Sequence, residues 1–198
     1  MCGRYTLKET HQLQKDLGVT VLPSYNIVPS ARVLVINSEH KPVFLTWSYK
    51  PRWLKNSSGF INARGETLNV KRSFRAADRC IILSDGWFEW KRSGGQNIPY
   101  YFHANSSLLY FAGVSDGSGG CAIVTTAASM HLEAIHHRQP CLFSREEADG
   151  WLLGGPISIS RANEAISYYA VVSLVNRTVN NSSANLVRAI TNESDCLI

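Results

Sequence analysis

The strongest secondary-structure signal in the chain is the apolar run over residues 80–90, which Asp85 and Gly86 interrupt. β-Branched and aromatic residues favour strands, and an aspartate–glycine pair favours a turn. Further short runs of this kind, separated by turn residues, cover residues 33–36, 43–47, 100–102, 108–114, 122–126 and 168–174. Many short strands with helices interspersed predict a single α+β domain built on a mainly antiparallel sheet or partial barrel.

Two capping-box patterns predict helix starts. Thr6 and Glu9 have the capping-box spacing and predict a helix over residues 8–17, which Gly18 ends. Ser144 and Glu147 have the same spacing and predict a helix that stops near Gly154. Because the chain becomes polar and rich in Asn and Ser from residue 180, we assign residues 1–187 to the domain and 188–198 to a tail.

Composition restricts the class of protein more than its function. Hydrophobic residues form 44% of the 198 residues, and the net charge of +5 permits nucleic-acid binding without requiring it. The five cysteines lack zinc-site spacing, and Cys80, Cys121 and Cys141 lie in apolar runs typical of a core. There is no phosphate-binding loop, no signal-peptide pattern and no membrane-length apolar run. We expect a soluble, cytoplasmic monomer with reduced thiols, no metal and no cofactor.

The first candidate for chemistry is Cys2. If Met1 is removed, Cys2 carries a free α-amine and a thiol on adjacent carbon atoms, a pair that no other position in a chain offers. An α-amine titrates near ~7.7–8.0 and a thiol near ~8.5, so both react near neutral pH. The competing interpretation is that cysteine occupies the second position by chance.

Three more polar residues lie in apolar or tightly turned surroundings: Asn62, Glu89 and His136. On a strand, Glu89 shares a face with Trp87, and burial of that face would raise the pKa of its carboxyl and suit it to acid–base work. An exposed glutamate on an edge strand is a serious alternative. A buried Asn62 could instead only bridge backbone groups, and His136 could only stabilise a helix end.

Basic residues alternate with aromatic ones along the chain, as in grooves that bind single-stranded nucleic acid. Arginines contact phosphates, and aromatic rings stack on unpaired bases. Trp47 and Trp53 could equally be ordinary core residues. The residues in this pattern are Arg4, Arg52, Trp53, Arg64, Lys71, Arg72, Arg75 and Arg138.

Five motifs resemble those of the SRAP family in their order and spacing. The family is named for SOS-response-associated peptidases, and its members are also called abasic-site processing proteins. The resemblance runs from residue 2 to about residue 181. The motifs are Met1-Cys2-Gly3-Arg4-Tyr5, Tyr25-Asn26-Ile27-Val28-Pro29, Ile61-Asn62-Ala63-Arg64-Gly65-Glu66-Thr67, Asp85-Gly86-Trp87-Phe88-Glu89-Trp90-Lys91 and Ile135-His136-His137-Arg138-Gln139-Pro140.

The resemblance implies a curved, barrel-like sheet and a protein that binds single-stranded DNA and cross-links covalently to abasic sites in the DNA damage response. It implies Cys2 as nucleophile with Asn62, Glu89 and His136 as catalytic partners. It further implies weak lyase activity and N-terminal self-processing as the meaning of the peptidase label. The implied DNA-binding residues are Arg4, Asn26, Pro29, Trp47, Trp53, Leu54, Arg64, Arg72, Thr125 and Arg138.

The sequence departs from the family pattern without changing those four catalytic candidates. His137 replaces the usual aspartate, Gln139 and Gly65 are less usual, and Ser48 stands where glycine is common. These departures bear on rate and DNA preference more than on the chemistry.

Two alternative functions stay open at this point. An N-terminal-nucleophile glutamine amidotransferase also begins Met-Cys-Gly and would form a thioester through the Cys2 thiol. The basic charge and the absence of a synthase partner domain argue against it. A non-catalytic nucleic-acid-binding module, in which Cys2 is incidental, would bind intact and abasic strands equally well.

Overall fold

Thirteen strands and three helices are described in the computed structural model, which covers residues 2–54, 58–105, 107–157, 161–179 and 181–190. The strands are β1 (Arg4–Leu7), β2 (Ser24–Ile27), β3 (Arg32–Ile36), β4 (Pro42–Thr46), β5 (Asn62–Arg64), β6 (Asp78–Ser84), β7 (Gly86–Ser93), β8 (Gln96–His103), β9 (Leu109–Ser115), β10 (Cys121–Ala127), β11 (Arg138–Pro140), β12 (Leu142–Phe143) and β13 (Ser167–Ala170). The helices are α1 (Thr10–Leu17), α2 (Met130–Glu133) and α3 (Arg145–Leu152). Short 3₁₀ turns lie at Gly65–Thr67, Arg161–Ala165, Ser173–Asn176 and Ala184–Val187.

The strands form two sheets. The smaller sheet has the order β13-β8-β7-β1-β2, and the larger has the order β11-β10-β9-β6-β3-β4, with β12 on β9 and β5 on β10. Every described pairing between these strands is antiparallel except that of β5 with β10. The prediction of a mainly antiparallel α+β domain with short helices is confirmed. The sheets do not close into one barrel.

Alternation along the strands divides the core into layers. The inner faces of both sheets share one apolar cluster, which also contains Cys2. The outer face of the larger sheet packs against α1 and α3, where Trp151 donates its indole N–H to the backbone oxygens of Cys80 (3.0 Å) and Gly113 (3.2 Å). The inner cluster includes Tyr5, Trp87 and Phe102 from the smaller sheet and Val35, Ile82, Phe111 and Ile123 from the larger. The prediction that Cys80, Cys121 and Cys141 are buried is confirmed.

Asp85 marks the point where the chain leaves the larger sheet and enters the smaller one. It is fully buried between β6 and β7, so the predicted interruption of this apolar run is confirmed. One carboxylate oxygen accepts a hydrogen bond from the Thr6 hydroxyl, and the other accepts from the backbone N–H groups of Lys8 and Glu9. Asp85 therefore fixes the end of β1 against the junction of the two sheets.

Those bonds explain why the first capping-box prediction is wrong. Thr6 lies in β1 and uses its hydroxyl on Asp85, so α1 begins only at Thr10, and its N-cap residue Glu9 makes no side-chain cap. The second capping box is confirmed, because the Ser144 hydroxyl and the Glu147 carboxylate cap α3 reciprocally.

The C-terminal segment lies beside the smaller sheet. The strand predicted over residues 168–174 ends at Ala170, and a 3₁₀ turn follows at Ser173–Asn176. Ala189 forms a bridge with Val171, and the Ile190 N–H donates to Ala170 (3.0 Å). Of the tail predicted over residues 188–198, residues 191–198 lie outside the described residues.

Asp85→Ala should lower the free energy of unfolding by about 2–4 kcal/mol, because it removes the buried carboxylate that accepts from the Thr6 hydroxyl and from the backbone N–H groups of Lys8 and Glu9. Urea unfolding followed by circular dichroism measures this change. Asp149→Ala, which removes an exposed carboxylate on α3 that pairs with His40, serves as the control and should change it by less than about 0.5 kcal/mol. Equal unfolding midpoints for the Asp85 variant and the parent chain would contradict the role of this carboxylate.

Candidate active site

Cys2 is positioned by its neighbours in β1. This strand lies between β7 and β2, with Arg4 opposite Phe88 and Tyr5 opposite Trp87. Cys2 is fully buried, and its Sγ lies 3.7 Å from the backbone oxygen of Arg4. The beginning of the chain is therefore built into the protein core. Met1, whose removal the sequence hypothesis requires, lies outside the described residues.

Asn62 contacts Cys2 directly. It begins β5, and its side-chain Nδ2 donates a hydrogen bond of 2.9 Å to the Cys2 backbone oxygen. Its Oδ1 is buried and has no hydrogen-bond partner among the described residues. Since a buried acceptor without a donor is costly, Oδ1 is suited to accept a hydrogen bond from a bound substrate.

Glu89 lies on β7 and is only 3% exposed. Trp87 belongs to the apolar cluster between the sheets, whereas Phe88 belongs to the cluster on the other face, so the predicted alternation is confirmed. The expected effect of burial is also confirmed: loss of hydration raises the pKa of Glu89 from 4.5 to about 7. Glu89 can therefore both donate and accept a proton near neutral pH.

The same environment controls the thiol. Burial, and then the nearby negative charge of Glu89, raise the pKa of Cys2 well above its ordinary value. The Cys2 sulfur is therefore a protonated thiol at neutral pH. A neutral thiol is a weak nucleophile until a base removes its proton, and Glu89 is the carboxylate whose charge reaches it.

His136 lies in the connection between α2 and β11 and is partly buried. Its neighbour Ile135 packs in the same cluster as Cys2. The Arg138 backbone N–H donates to Nδ1 of His136 (3.0 Å), so Nδ1 accepts and the neutral ring carries its proton on Nε2. Burial lowers the pKa of His136.

Arg4 and Asn26 bind the C-terminal segment. The Arg4 guanidinium donates to the Asn26 side chain and to the backbone oxygens of Val175 and Asn176. Asn26 is 2% exposed, and its amide donates to Val175 and Arg177. Both residues, predicted as DNA contacts, hold the 3₁₀ turn after β13 next to β1, the strand that follows Cys2.

Arg138 and Thr125 form a second linked pair. Arg138 makes a bidentate ion pair with Glu66 (2.6 and 3.0 Å) and donates to the backbone oxygen and hydroxyl of Thr125. The Arg138 side chain is 10% exposed and Thr125 is fully buried. These contacts connect β11 to β10 and to the turn after β5.

The remaining predicted DNA contacts differ in exposure. Trp47 is fully buried and donates its indole N–H to Ile61 (2.8 Å), so it is a core residue and presents no face to a base. Pro29 lies in the turn after β2 and is partly buried. Arg64 and Arg72 are exposed, Leu54 is partly buried, and Trp53 is 47% exposed, with the Arg72 guanidinium 5.5 Å over its ring.

Two residues that sequence reasoning did not single out support the site. Asp85 anchors β1, and its sequence signals were the Asp-Gly pair, which was interpreted as a break in a strand, and its place at the start of a motif. Glu66 holds Arg138, and its only signal was its place in a motif after Arg64. Within the described part of the chain, no group of His, Cys, Asp and Glu could hold a metal ion.

Two of the sequence departures have structural roles. Gln139 is 3% exposed, accepts from the Ser129 N–H (2.8 Å) and donates to Asn163, which fixes the start of α2. Ser48 donates to the Ser58 backbone oxygen across the loop that carries Trp53. Neither residue contacts Cys2, Asn62 or Glu89 in the described hydrogen bonds.

Comparison with known protein families identifies one family for this chain. The family model described as "SOS response associated peptidase (SRAP)" matches residues 1–182. The chain belongs to the SRAP family. The abasic site processing protein YoqW of Bacillus subtilis is 34% identical, over 92% of this chain and 97% of the relative. The abasic site processing protein YedK of Escherichia coli is 32% identical, over 77% of this chain and 79% of the relative.

Solved structures show the same fold. A protein from Bacteroides thetaiotaomicron superposes with a TM-score of 0.77 at 22% identity, covering 96% of this chain and 100% of that one. A phage-related protein from Bordetella bronchiseptica gives a TM-score of 0.64 at 29% identity, covering 86% of this chain and 94% of that one. No helix among the described residues is long and apolar enough to span a membrane.

Glu89→Gln should change how stability depends on pH. Because the pKa of Glu89 is about 7 in the folded chain and 4.5 ordinarily, the folded state holds this proton longer than the unfolded state. The parent chain should therefore lose roughly 3 kcal/mol relative to the Gln variant as pH rises from about 4.5 through 7, and no more above that. Urea unfolding at half-unit pH steps measures this difference.

Glu39→Gln is the control, because Glu39 is exposed and Lys41 lowers the pKa of its carboxyl. Its difference from the parent chain should stay constant above pH 5. A difference for Glu89→Gln that is equally constant would show that Glu89 titrates normally.

Proposed function

We propose that this protein binds single-stranded DNA and forms a covalent cross-link between Cys2 and the ring-opened aldehyde of an abasic site, as part of the response to DNA damage. The observation that carries the proposal is the buried Cys2, with its backbone oxygen held by Asn62 and its thiol within the electrostatic reach of Glu89. The names of the relatives, which are abasic site processing proteins, support it.

The chemistry requires the α-amine that removal of Met1 would expose. The amine of Cys2 adds to the C1′ aldehyde and releases water, which gives an imine. The thiol then adds to the imine carbon: the S–C bond forms, the C=N π pair becomes a nitrogen lone pair, and the thiol proton moves to nitrogen. The product is a five-membered thiazolidine. Ring closure within one residue benefits from an effective molarity on the order of 10⁵ M or more.

The raised pKa of the thiol fits this order of steps. A protonated sulfur is a poor first nucleophile, so the amine attacks first, and sulfur follows once the imine carbon lies beside it. Glu89, with a pKa of about 7, accepts the thiol proton and returns it to nitrogen. An amidotransferase needs an activated thiolate in its first step, which this environment disfavours.

His136 and Asn62 act on the sugar. His136 presents Nε2, because Nδ1 is engaged by Arg138, and assists opening of the deoxyribose ring by proton transfer at O4′. Asn62 offers Oδ1 to a sugar hydroxyl while Nδ2 holds Cys2. Loss of the 3′ phosphate from the imine by β-elimination would give a weak lyase activity. N-terminal self-processing that exposes Cys2 would account for the peptidase in the family name.

Cys2→Ala should abolish the adduct, because it removes the sulfur that traps the imine. The protein is mixed with a single-stranded oligonucleotide that contains one abasic site, and the intact mass is recorded after heating. Cys121→Ala, which changes another buried cysteine of the same cluster, is the control and should keep the adduct. Absence of a heat-stable adduct with the parent chain, together with glutamine hydrolysis, would support the amidotransferase instead.

Trp53→Ala should weaken binding to an intact single strand about tenfold, since stacking contributes ~1–3 kcal/mol per base. Trp53 is half-exposed, and one of its faces lies under Arg72. Fluorescence anisotropy with a labelled oligonucleotide measures affinity. Arg145→Ala, which removes an exposed arginine on α3, is the control and should leave affinity within about twofold. If the Arg145 variant weakens binding more than the Trp53 variant, the DNA path runs over α3 instead.

A further inference from the structure

His137 is an exposed histidine whose ring stacks on that of His136. The two ring centroids are 4.5 Å apart, and the planes are inclined by only 25°. The backbone at this point is fixed, because the His137 oxygen accepts from the Ala128 N–H (3.0 Å) and the His136 N–H donates to Leu132 (3.4 Å). The stacked geometry is therefore set by the connection between α2 and β11, with one ring partly buried and the other in solvent.

Two contacts fix the orientation of His136. In its own plane, Nδ1 accepts the Arg138 N–H (3.0 Å) and lies 3.1 Å from the Arg138 backbone oxygen. Perpendicular to that plane, His137 covers one face. The hydrogen bond fixes the position of Nδ1, and the stacked neighbour restricts the tilt of the ring plane. His137 thus supplies a restraint that the hydrogen bond does not.

The charged groups around His136, including His137, affect the pKa of its ring. After burial, the charges that lower the pKa of His136 are those of the chain's amino terminus, His137 and Arg138, whereas its hydrogen bond with the Arg138 backbone raises that pKa. The Arg138 charge is paired with Glu66 from the turn after β5. His137 lies against the imidazole face, with the two ring centroids 4.5 Å apart, and its electrostatic interaction with that ring lowers the pKa of His136.

We propose that His137 is a positioning residue for His136: its stacked ring fixes the plane of the imidazole that acts on the substrate. This inference rests on the proposed function for its consequence in the reaction. Its structural part concerns only the orientation and proton affinity of His136, which can be measured without any reaction.

Two variants separate the roles of the ring and of its charge. His137→Phe keeps a stacked aromatic ring and removes the polar ring nitrogens, whereas His137→Ala removes both. The Ala variant should slow adduct formation roughly tenfold, a fraction of the ~10²–10⁴ that general acid–base catalysis contributes. The Phe variant should recover most of that rate. The limb of the pH–rate profile that reports His136, identified by its loss in His136→Gln, should move to higher pH in both.

Nitrogen-15 NMR of the histidine rings gives the readout that does not depend on the reaction. In the parent chain, neutral His136 should carry its proton on Nε2, and its pKa should rise in His137→Phe. His131→Ala, at an exposed histidine on α2, should change neither the pKa nor the rate. Single-strand affinity at pH 7.5 should be equal in all variants, which distinguishes positioning from phosphate binding.

Unchanged rate, unchanged pKa and unchanged tautomer in His137→Ala would overturn the proposal. A loss confined to DNA affinity would instead make His137 a phosphate contact and also overturn it. If the parent chain forms no adduct, the proposed function fails, while the NMR pKa and tautomer of His136 still decide whether His137 positions it.

Discussion

The structure depends on one constraint: the first residues of the chain form an interior strand. β1 pairs with β7 on one side and β2 on the other, and the buried carboxylate of Asp85 accepts hydrogen bonds from Thr6, Lys8 and Glu9 at its end. An N-terminus is ordinarily among the least ordered parts of a domain. Here the sheet order, the Asp85 anchor and the Asn62 bond to Cys2 hold it in the core. A reactive second residue can therefore have fixed partners.

The same burial sets the chemistry of the site. Loss of hydration raises the pKa values of both Glu89 and Cys2, so a carboxyl that exchanges protons near pH 7 lies beside a thiol that stays protonated. The two groups influence each other, since the charge of Glu89 further raises the pKa of the thiol. In the proposed mechanism, this coupling delays the sulfur until the imine exists. This arrangement lowers the free energy of unfolding as pH rises from about 4.5 through 7, because Glu89 then ionises while buried.

The sequence predicted most of the longer strands and the face that Glu89 shares with Trp87, because both follow from local alternation of side chains, but it did not predict β1. Trp87 and Phe88 fall in different clusters, as a strand requires. The prediction from sequence was wrong where a distant residue binds a group that a local pattern also claims. Thr6 has capping-box spacing, yet its hydroxyl donates to Asp85, 79 positions away. Trp47 is an aromatic residue of the type that stacks on bases, and only the packing of the two sheets shows that it is buried. The exposure of Trp53 likewise follows from tertiary structure alone.

The most direct test of the central claim identifies the bonds that the abasic carbon forms. An oligonucleotide with carbon-13 at C1′ of its abasic site is reacted with the protein, and the labelled carbon is observed by NMR and located by peptide mass spectrometry. The account predicts a tetrahedral carbon bonded to both nitrogen and sulfur of Cys2, on chains that have lost Met1. An imine carbon on a lysine, or an adduct through sulfur alone on chains that retain Met1, would contradict it.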